Sequence, residues 1–498
     1  MVVIDGGPLT REQVVAVVRG HAPVEVGDTA LAEVAKTREH VERLAEAATP
    51  TYGVSTGFGA LATRHIPLDR RAALQRSLIR SHAAGAGDPV EVEVVRGLML
   101  LRLRTLASGR TGVRPEIVDA LTGLLNAGIT PVVHEYGSLG CSGDLAPLSA
   151  VALALMGEGD VFVENRLLPA KDALYEAGIS PVTLAEKEGL ALINGTDGML
   201  GMLVLALDDL RKLLDVADLT AAMSVEALLG TDRVFAPELQ ALRPHPGQAL
   251  SAARMTALLA GSAIMESHRG PHCNRVQDAY SLRCAPQVHG AARDTVAYVE
   301  TVADRELAAA IDNPVVLPDG RVESNGNFHG APVAYPLDFL AIPAADVASM
   351  AERRTDRMLD ATRSHGLPPF LAADPGVDSG HMIAQYTQAA VVSEMKRLAV
   401  PASVDSIPSS AMQEDHVSMG WSAARKLRKS IDGLTTVLAV ELLTAARALD
   451  LRAPLTPAPA TAQAIAALRR TVPGPGPDRH LAPEIAAAEN LIRSGELP

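Results

Sequence analysis

The chain has 498 residues, enough for about three domain-sized units or for one large helical unit with a smaller lobe. Hydrophobic residues make up 48% and charged residues 21%, which excludes a disordered chain; aromatics are only 3%, so the core must be built of Ala, Leu and Val. Lys and Arg total 45 against 58 Asp and Glu, a net charge of −13 that leaves no electrostatic footprint for nucleic acid or for an anionic membrane.

Helical spacing dominates from one end to the other. Apolar residues recur at three- and four-residue steps over Thr29–Ala47, Arg71–Ala84, Val92–Leu106 and Pro115–Asn126, then over Leu203–Leu229, Leu250–Glu266 and Ala291–Ala310. Two more long helices are predicted at Leu337–His365 and Trp421–Leu449; in the second, Leu427, Ile431, Leu434, Leu438 and Leu442 form one stripe. Period-two runs are few and short, so the expectation is an all-α fold of long packed helices. The most apolar stretch, Gly189–Leu207, contains Asn194, Thr196, Asp197 and four glycines, and reads as buried core rather than a membrane span. Ala453–Ala462 and Pro473–Pro477 read as a linker and a loosely packed tail. The expected organisation is an N-terminal lobe over 1–200, a long-helix bundle over 201–452 and a tail over 453–498. Three cysteines, Cys141, Cys273 and Cys284, make no disulfide framework and suit a reducing cytosol. The first residues have neither a basic region nor a long apolar run, so no secretory signal is expected.

The Gly- and Ser-rich breaks between helices hold the unusual polar clusters. Tyr52-Gly53-Val54-Ser55-Thr56-Gly57 contains a literal G-x-S-x-G, but no apolar strand precedes it, so a hydrolase nucleophile is not expected; a flexible loop presenting Tyr52 is. His268, His272, Cys273 and Cys284 match no closed zinc pattern, and no metal site is expected. Ser81-His82 ends a helical run, and Glu414-Asp415-His416 is either a solvated turn or an acid/base pair. The segment from Tyr136 to Leu148 is the most informative. Its glycines at 137, 140 and 143 permit a tight turn, and Asp144 and Pro147 suit the start of a helix running to Met156. Beside this plain reading stands a chemical one. The Gly143 nitrogen can attack the Cys141 carbonyl, and loss of water from that ring and from Ser142 leaves an exocyclic methylidene. The positive end of the following helix favours electron density there.

At these residues the sequence resembles the aromatic amino acid ammonia-lyases, which carry a 4-methylidene-imidazol-5-one (MIO) made from Ala/Cys/Thr-Ser-Gly. The likeness extends through GSLGCSGDLAPLS, TYGVSTGFG, RSHAAG, LINGTDG, VQDAYSLRCAPQ, DNPVVLPDG, SNGNFHGAPVAY and DSIPSSAMQEDHVSMGW, from about Tyr52 to Trp421. Ser81-His82 and Glu414 make it most similar to the histidine-specific branch, because an imidazole wants an acidic partner and a phenyl ring does not. Two stretches depart from the pattern: Ala150, where many of that branch have His, and Met265–Arg275, which matches no motif of the family.

The resemblance implies a fumarase/aspartase-like helical fold, with the MIO loop in the N-terminal lobe, in a homotetramer whose active sites each collect loops from three subunits. It implies a cytoplasmic carbon–nitrogen lyase, the first step of histidine degradation, taking L-histidine to trans-urocanate without pyridoxal phosphate, metal, nucleic acid or membrane. Cys141, Ser142 and Gly143 would form the MIO, and Tyr52 would be the β-proton base, its phenol brought toward neutrality by a lowered pKa. Tyr280 would assist at the MIO or at the amine, Arg283 would pair with the substrate carboxylate, and Asn194 and Gln277 would hydrogen-bond the MIO carbonyl or the substrate. Phe328 would pack near the ring, and His82 and Glu414 would hold the imidazole. Alternatives are a tyrosine or phenylalanine lyase, an aminomutase of the same family, and an inactive helical scaffold.

Overall fold

In the computed structural model, which describes residues 1–47, 51–57, 59–270, 273 and 276–498, the apolar stripes fold as long helices. Four exceed twenty residues: Asp197–Ala227, Ala285–Leu307, Ala331–Leu359 and Gly420–Asp450. In the last, Leu427, Leu434, Leu438 and Leu442 are wholly buried, as the stripe requires. The expected helix at Pro115–Asn126 forms with those bounds, its proline in the first turn. The expected Arg71–Ala84 helix closes slightly earlier, at His82.

The chain divides into two units. One comprises Met1–Leu205, Glu300–Asp338 and Pro401–Arg425; the other comprises Ala206–Val299, Phe339–Val400 and Lys426–Pro498. In the first unit, short strands tie loops to helices. Val2–Ile4 pairs parallel with Val24–Val26, and Thr130–Pro131, Asp160–Val163 and Arg166–Pro169 form an antiparallel meander. Ala86–Pro89 pairs antiparallel with His134–Tyr136. That pairing brings the end of the His82 helix beside the start of the 136–148 loop.

Buried charges set the next turn. Lys187 Nζ lies 2.5 Å from Asp312 Oδ2, both side chains fully buried, and Arg114 binds Glu188 through two bonds of 2.8 Å. These pairs fix the start of the short helix Glu188–Ile193, at whose end Asn194 stands. The apolar Gly189–Leu207 stretch is core, as expected: the most apolar window of Glu188–Ala227 is 100% buried. Ala331–Leu359 also has the length and hydropathy of a span and is 61% buried.

In the second unit, Arg354 binds Glu441 at 2.5 and 3.0 Å, and the same carboxylate accepts from Thr220 and Ser224 at 2.8 Å. The Pro- and Ala-rich end is not loose. It forms helices at Pro459–Arg469 and Leu481–Ser494. Glu226, buried, accepts from the Ala458 amide at 2.6 Å and from the Thr461 hydroxyl at 2.7 Å, capping the first of them.

Candidate active site

The loop ahead of the helix Leu145–Leu155 is pinned by residues far away in sequence. The Gly140 carbonyl accepts from the Ser418 hydroxyl at 2.8 Å and from the Gly330 amide at 3.1 Å, and the Leu139 carbonyl accepts from the Met419 amide at 2.9 Å. Gly143 has φ +80°, and a Cβ there would stand 2.2 Å from the Gly195 oxygen and 2.4 Å from its carbonyl carbon, so only glycine fits. The Asp144 amide donates to that same Gly195 oxygen at 2.7 Å. The tripeptide Cys141-Ser142-Gly143 is therefore pressed against the Asn194–Gly195 turn. Asn194 Nδ2 donates to the Ser142 carbonyl at 3.1 Å, while its Oδ1 is buried without a partner.

Asp144 occupies the N-cap position but does not cap its own helix. Its Oδ2 accepts from the Gly198 and Met199 amides at 2.9 and 3.0 Å, capping the helix Asp197–Ala227, and its Oδ1 accepts from Ser138 at 2.8 Å. Complete burial pushes its carboxyl up to about 7. Burial, with the nearby Glu414 charge, likewise pushes the Cys141 thiol up to about 12, so it stays protonated.

Three expected side chains gather around this loop. Glu414 Oε1 accepts from the Ser142 hydroxyl at 2.9 Å. His82 and Tyr52 both feel the Glu414 charge. Burial lowers the His82 pKa, so the ring is neutral at pH 7. Its Nδ1 lies 3.0 Å from Ser81 Oγ, and the Ser81 hydroxyl itself donates to the Leu78 carbonyl. Nδ1 is thus the donor and Nε2 is left as an acceptor. Tyr52 corrects the expectation of a lowered phenol. Burial raises its pKa and Glu414 raises it further, while the Gly59 amide, 3.4 Å from Oη, lowers it only in part. The Ser55 hydroxyl of the G-x-S-x-G string is buried against the Thr51 amide at 2.9 Å, not raised on an elbow. Phe328, half-buried, stands on the turn just before the Ala331–Leu359 helix.

Gln277, Tyr280 and Arg283 belong to the second unit. Tyr280 is 70% exposed, with the Arg283 guanidinium 4.7 Å over its ring, and Arg283 Nε is buried without a partner. Arg354 Nη1 donates to the Ser281 carbonyl at 3.2 Å and so anchors this turn. Of the rejected zinc set, His268 has both ring nitrogens against backbone carbonyls, of Ile264 and Gly230, and His272 lies outside the described residues. Ala150 lines a cavity of about 200 Å³ with Ala83, Gly85, His134, Tyr136 and Pro147.

Sequence reasoning missed Ser409, whose hydroxyl donates to Glu414 Oε2 at 2.9 Å, and Ser418, which holds Gly140. Both sit in the Ser-rich break 406–418, but nothing in its spacing distinguishes the two working serines from Ser406 or Ser410.

Long helices that present a glycine-compressed tripeptide, with a tyrosine, an imidazole and a carboxylate close by, define a lyase of the all-helical kind. The model of the aromatic amino acid lyase family matches residues 9–470. The histidine ammonia-lyase of Streptomyces avermitilis is 67% identical over 498 residues, covering 100% of this chain and 97% of its own length. That of Anaeromyxobacter sp. (strain K) is 50% identical over 502 residues, covering 99% of each. Among solved structures, histidine ammonia-lyase from Trypanosoma cruzi superposes with a TM-score of 0.91 at 39% identity, covering 100% of this chain and 95% of that one. A tyrosine aminomutase from Streptomyces globisporus gives 0.93, also at 39%, covering 99% and 97%. The chain belongs to the aromatic amino acid lyase family.

Proposed function

We propose that the chain removes ammonia from L-histidine to give trans-urocanate, as a cytoplasmic homotetramer that makes its MIO group from Cys141, Ser142 and Gly143. The observation that carries the substrate is the Glu414 carboxylate at 2.9 Å from Ser142, beside a neutral His82 whose Nε2 accepts. Two acceptors next to the reacting tripeptide suit a ring that bears N–H groups; a phenyl ring would leave both unpaired. The fold alone does not choose, since the aminomutase superposes as well as the histidine enzyme. Relatives at 67% and 50% identity, both histidine ammonia-lyases, support the choice.

The tripeptide fits the group. Gly143 has no room for a Cβ, its neighbour Gly195 is fixed by the Asp144 amide, and Asn194 holds the Ser142 carbonyl with one unpartnered oxygen left over. When formed, the group supplies an electrophile, a task that pyridoxal phosphate performs in other enzymes. The remaining work falls to side chains of this protein. Asn194 donates toward oxygen that gains charge. Glu414 and His82 hold the imidazole. Tyr52 takes the β-proton at Oη, and the substrate's own ammonium is the cation that offsets the raised phenol. Arg283 pairs with the carboxylate in a two-bond fork, Gln277 hydrogen-bonds the substrate and Phe328 lies along its ring.

We place Gln277, Tyr280 and Arg283 of one subunit in the site of another. The exposure of Gln277 and Tyr280 supports this, as does that of the apolar side chains Phe339, Ile342, Ile383 and Tyr386 in the same unit. Replacing Ser142 by Ala tests the reading. The variant keeps its helical fold, its mass shows none of the parent's deficit of about 36 Da, the two waters of ring closure, and ultraviolet absorbance shows no urocanate. Full activity in that variant, or cinnamate, coumarate or a β-amino acid as the parent's product, would reject it.

A further inference from the structure

We propose that Ser409 is a positioning residue for Glu414. It fixes one carboxylate oxygen so that the other is presented to the substrate ring; this rests on the reading that Glu414 receives the imidazole. The Ser409 hydroxyl donates to Glu414 Oε2 at 2.9 Å, and the Ser142 hydroxyl donates to Oε1 at the same distance. The two oxygens are thus held from opposite sides, one by the carboxylate's own loop and one by the reacting tripeptide.

The loop is built for this contact. Ser409 is extended, with φ −138° and ψ 179°, and its amide donates to the Glu414 carbonyl at 2.9 Å while the Glu414 amide donates back at 3.3 Å. Between them Ser410, Ala411 and Met412 all have positive φ, 52°, 53° and 69°. Three successive left-handed residues without a glycine are costly, and here they turn the chain so that 409 and 414 face each other.

Ser142 loses its hydroxyl with the second water of ring closure. Oε1 is then released from the Ser142 bond and is the oxygen turned over to the substrate, while Oε2 remains bound to Ser409 and the Cys141 thiol stays against the carboxylate. Rotation about the terminal bond of a glutamate is soft, so without Ser409 the carboxylate would spread over many orientations. A charge-assisted bond of this kind is strong enough to prevent that.

The test uses Ser409→Ala and Ser409→Thr, each in the parent and in a Glu414→Ala background. Thr keeps the hydroxyl and suits extended backbone. Ser409→Ala should mature, shown by the same mass deficit as the parent, and keep its circular dichroism. Its kcat/KM for L-histidine should fall about tenfold, with KM moving more than kcat. Ser409→Thr should restore the parent value. In the Glu414→Ala background, Ser409→Ala should cost no further activity. Parent-like kinetics in Ser409→Ala, an equal loss in both backgrounds, or a variant stuck at full mass would each overturn the proposal. Parent-like kinetics in Glu414→Ala would instead overturn the reading beneath it.

Discussion

Gly143→Ala is the sharpest probe of the compressed tripeptide. At φ +80° an alanine costs about 1–2 kcal/mol in backbone conformation. Its Cβ would meet the Gly195 oxygen, carbonyl carbon and nitrogen at 2.2, 2.4 and 2.6 Å. All three are backbone atoms, so no side-chain rotation relieves the overlap, and overpacking of this kind costs about 1–3 kcal/mol. If Gly195 retreats, the bond from the Asp144 amide goes with it, worth about 1 kcal/mol. The total is about 3–6 kcal/mol. For a chain this long the unfolding entropy is on the order of 1 kcal/mol per degree, so the melting temperature should drop by about 3–6 °C. The variant should also remain at full mass, because the nitrogen of residue 143 can no longer be pressed toward residue 141. Thermal unfolding and intact-mass measurement read both effects. A variant that melts with the parent and still loses two waters would show that close packing at Gly195 has no part in closing the ring.

Two further outcomes follow from buried charge. Asp144 holds its proton up to about pH 7 when folded but releases it near 3.8 when unfolded. The folded state binds the extra proton in that window, so the stability due to Asp144 is present in acid and is lost as pH rises from about 4 to 7. Melting curves across the range should show the parent losing ground to Asp144→Asn; parallel curves would refute it. Replacing Arg354 by Ala leaves Glu441 buried and uncompensated, which should cost about 3–5 kcal/mol. It should also loosen the Tyr280 turn, raising KM for L-histidine; an unchanged melting temperature would refute the first part.

Much of the helical frame was legible because apolar period and helix ends agree. Where they disagree, the reading faltered. Asp197–Ala227 begins six residues before the predicted Leu203, because residues 197–207 are buried on every side and have no period to mark the start. The predicted Leu250–Glu266 helix is two helices, Pro246–Leu259 and Ala263–Glu266, parted at Gly261 with Ser262 capping the second. Met382–Leu398 went unseen because one of its buried positions is Gln388, which breaks the apolar stripe and donates to the Val437 carbonyl. Pro459, read as linker, is the first residue of a helix. In the site, the motifs already single out Ser142, Asn194 and Glu414, which the fold brings together. The site's electrostatics could not be read this way: Asp144 reaches amides 54 and 55 positions away, and the burial that raises Tyr52 depends on the folded surroundings.

The partners of the 137–143 loop have a temporal meaning. Gly195, Gly330, Ser418 and Met419 are the groups that hold it, and the last of these leaves the ribosome long after residue 143. On the reading proposed above, a nascent chain cannot assemble the clamp until translation has passed Met419 of its 498 residues. Ring closure of that kind would come late, and a thiol-hungry electrophile would be kept off the chain while the residues up to Met419 are being made among the nucleophiles of the cell.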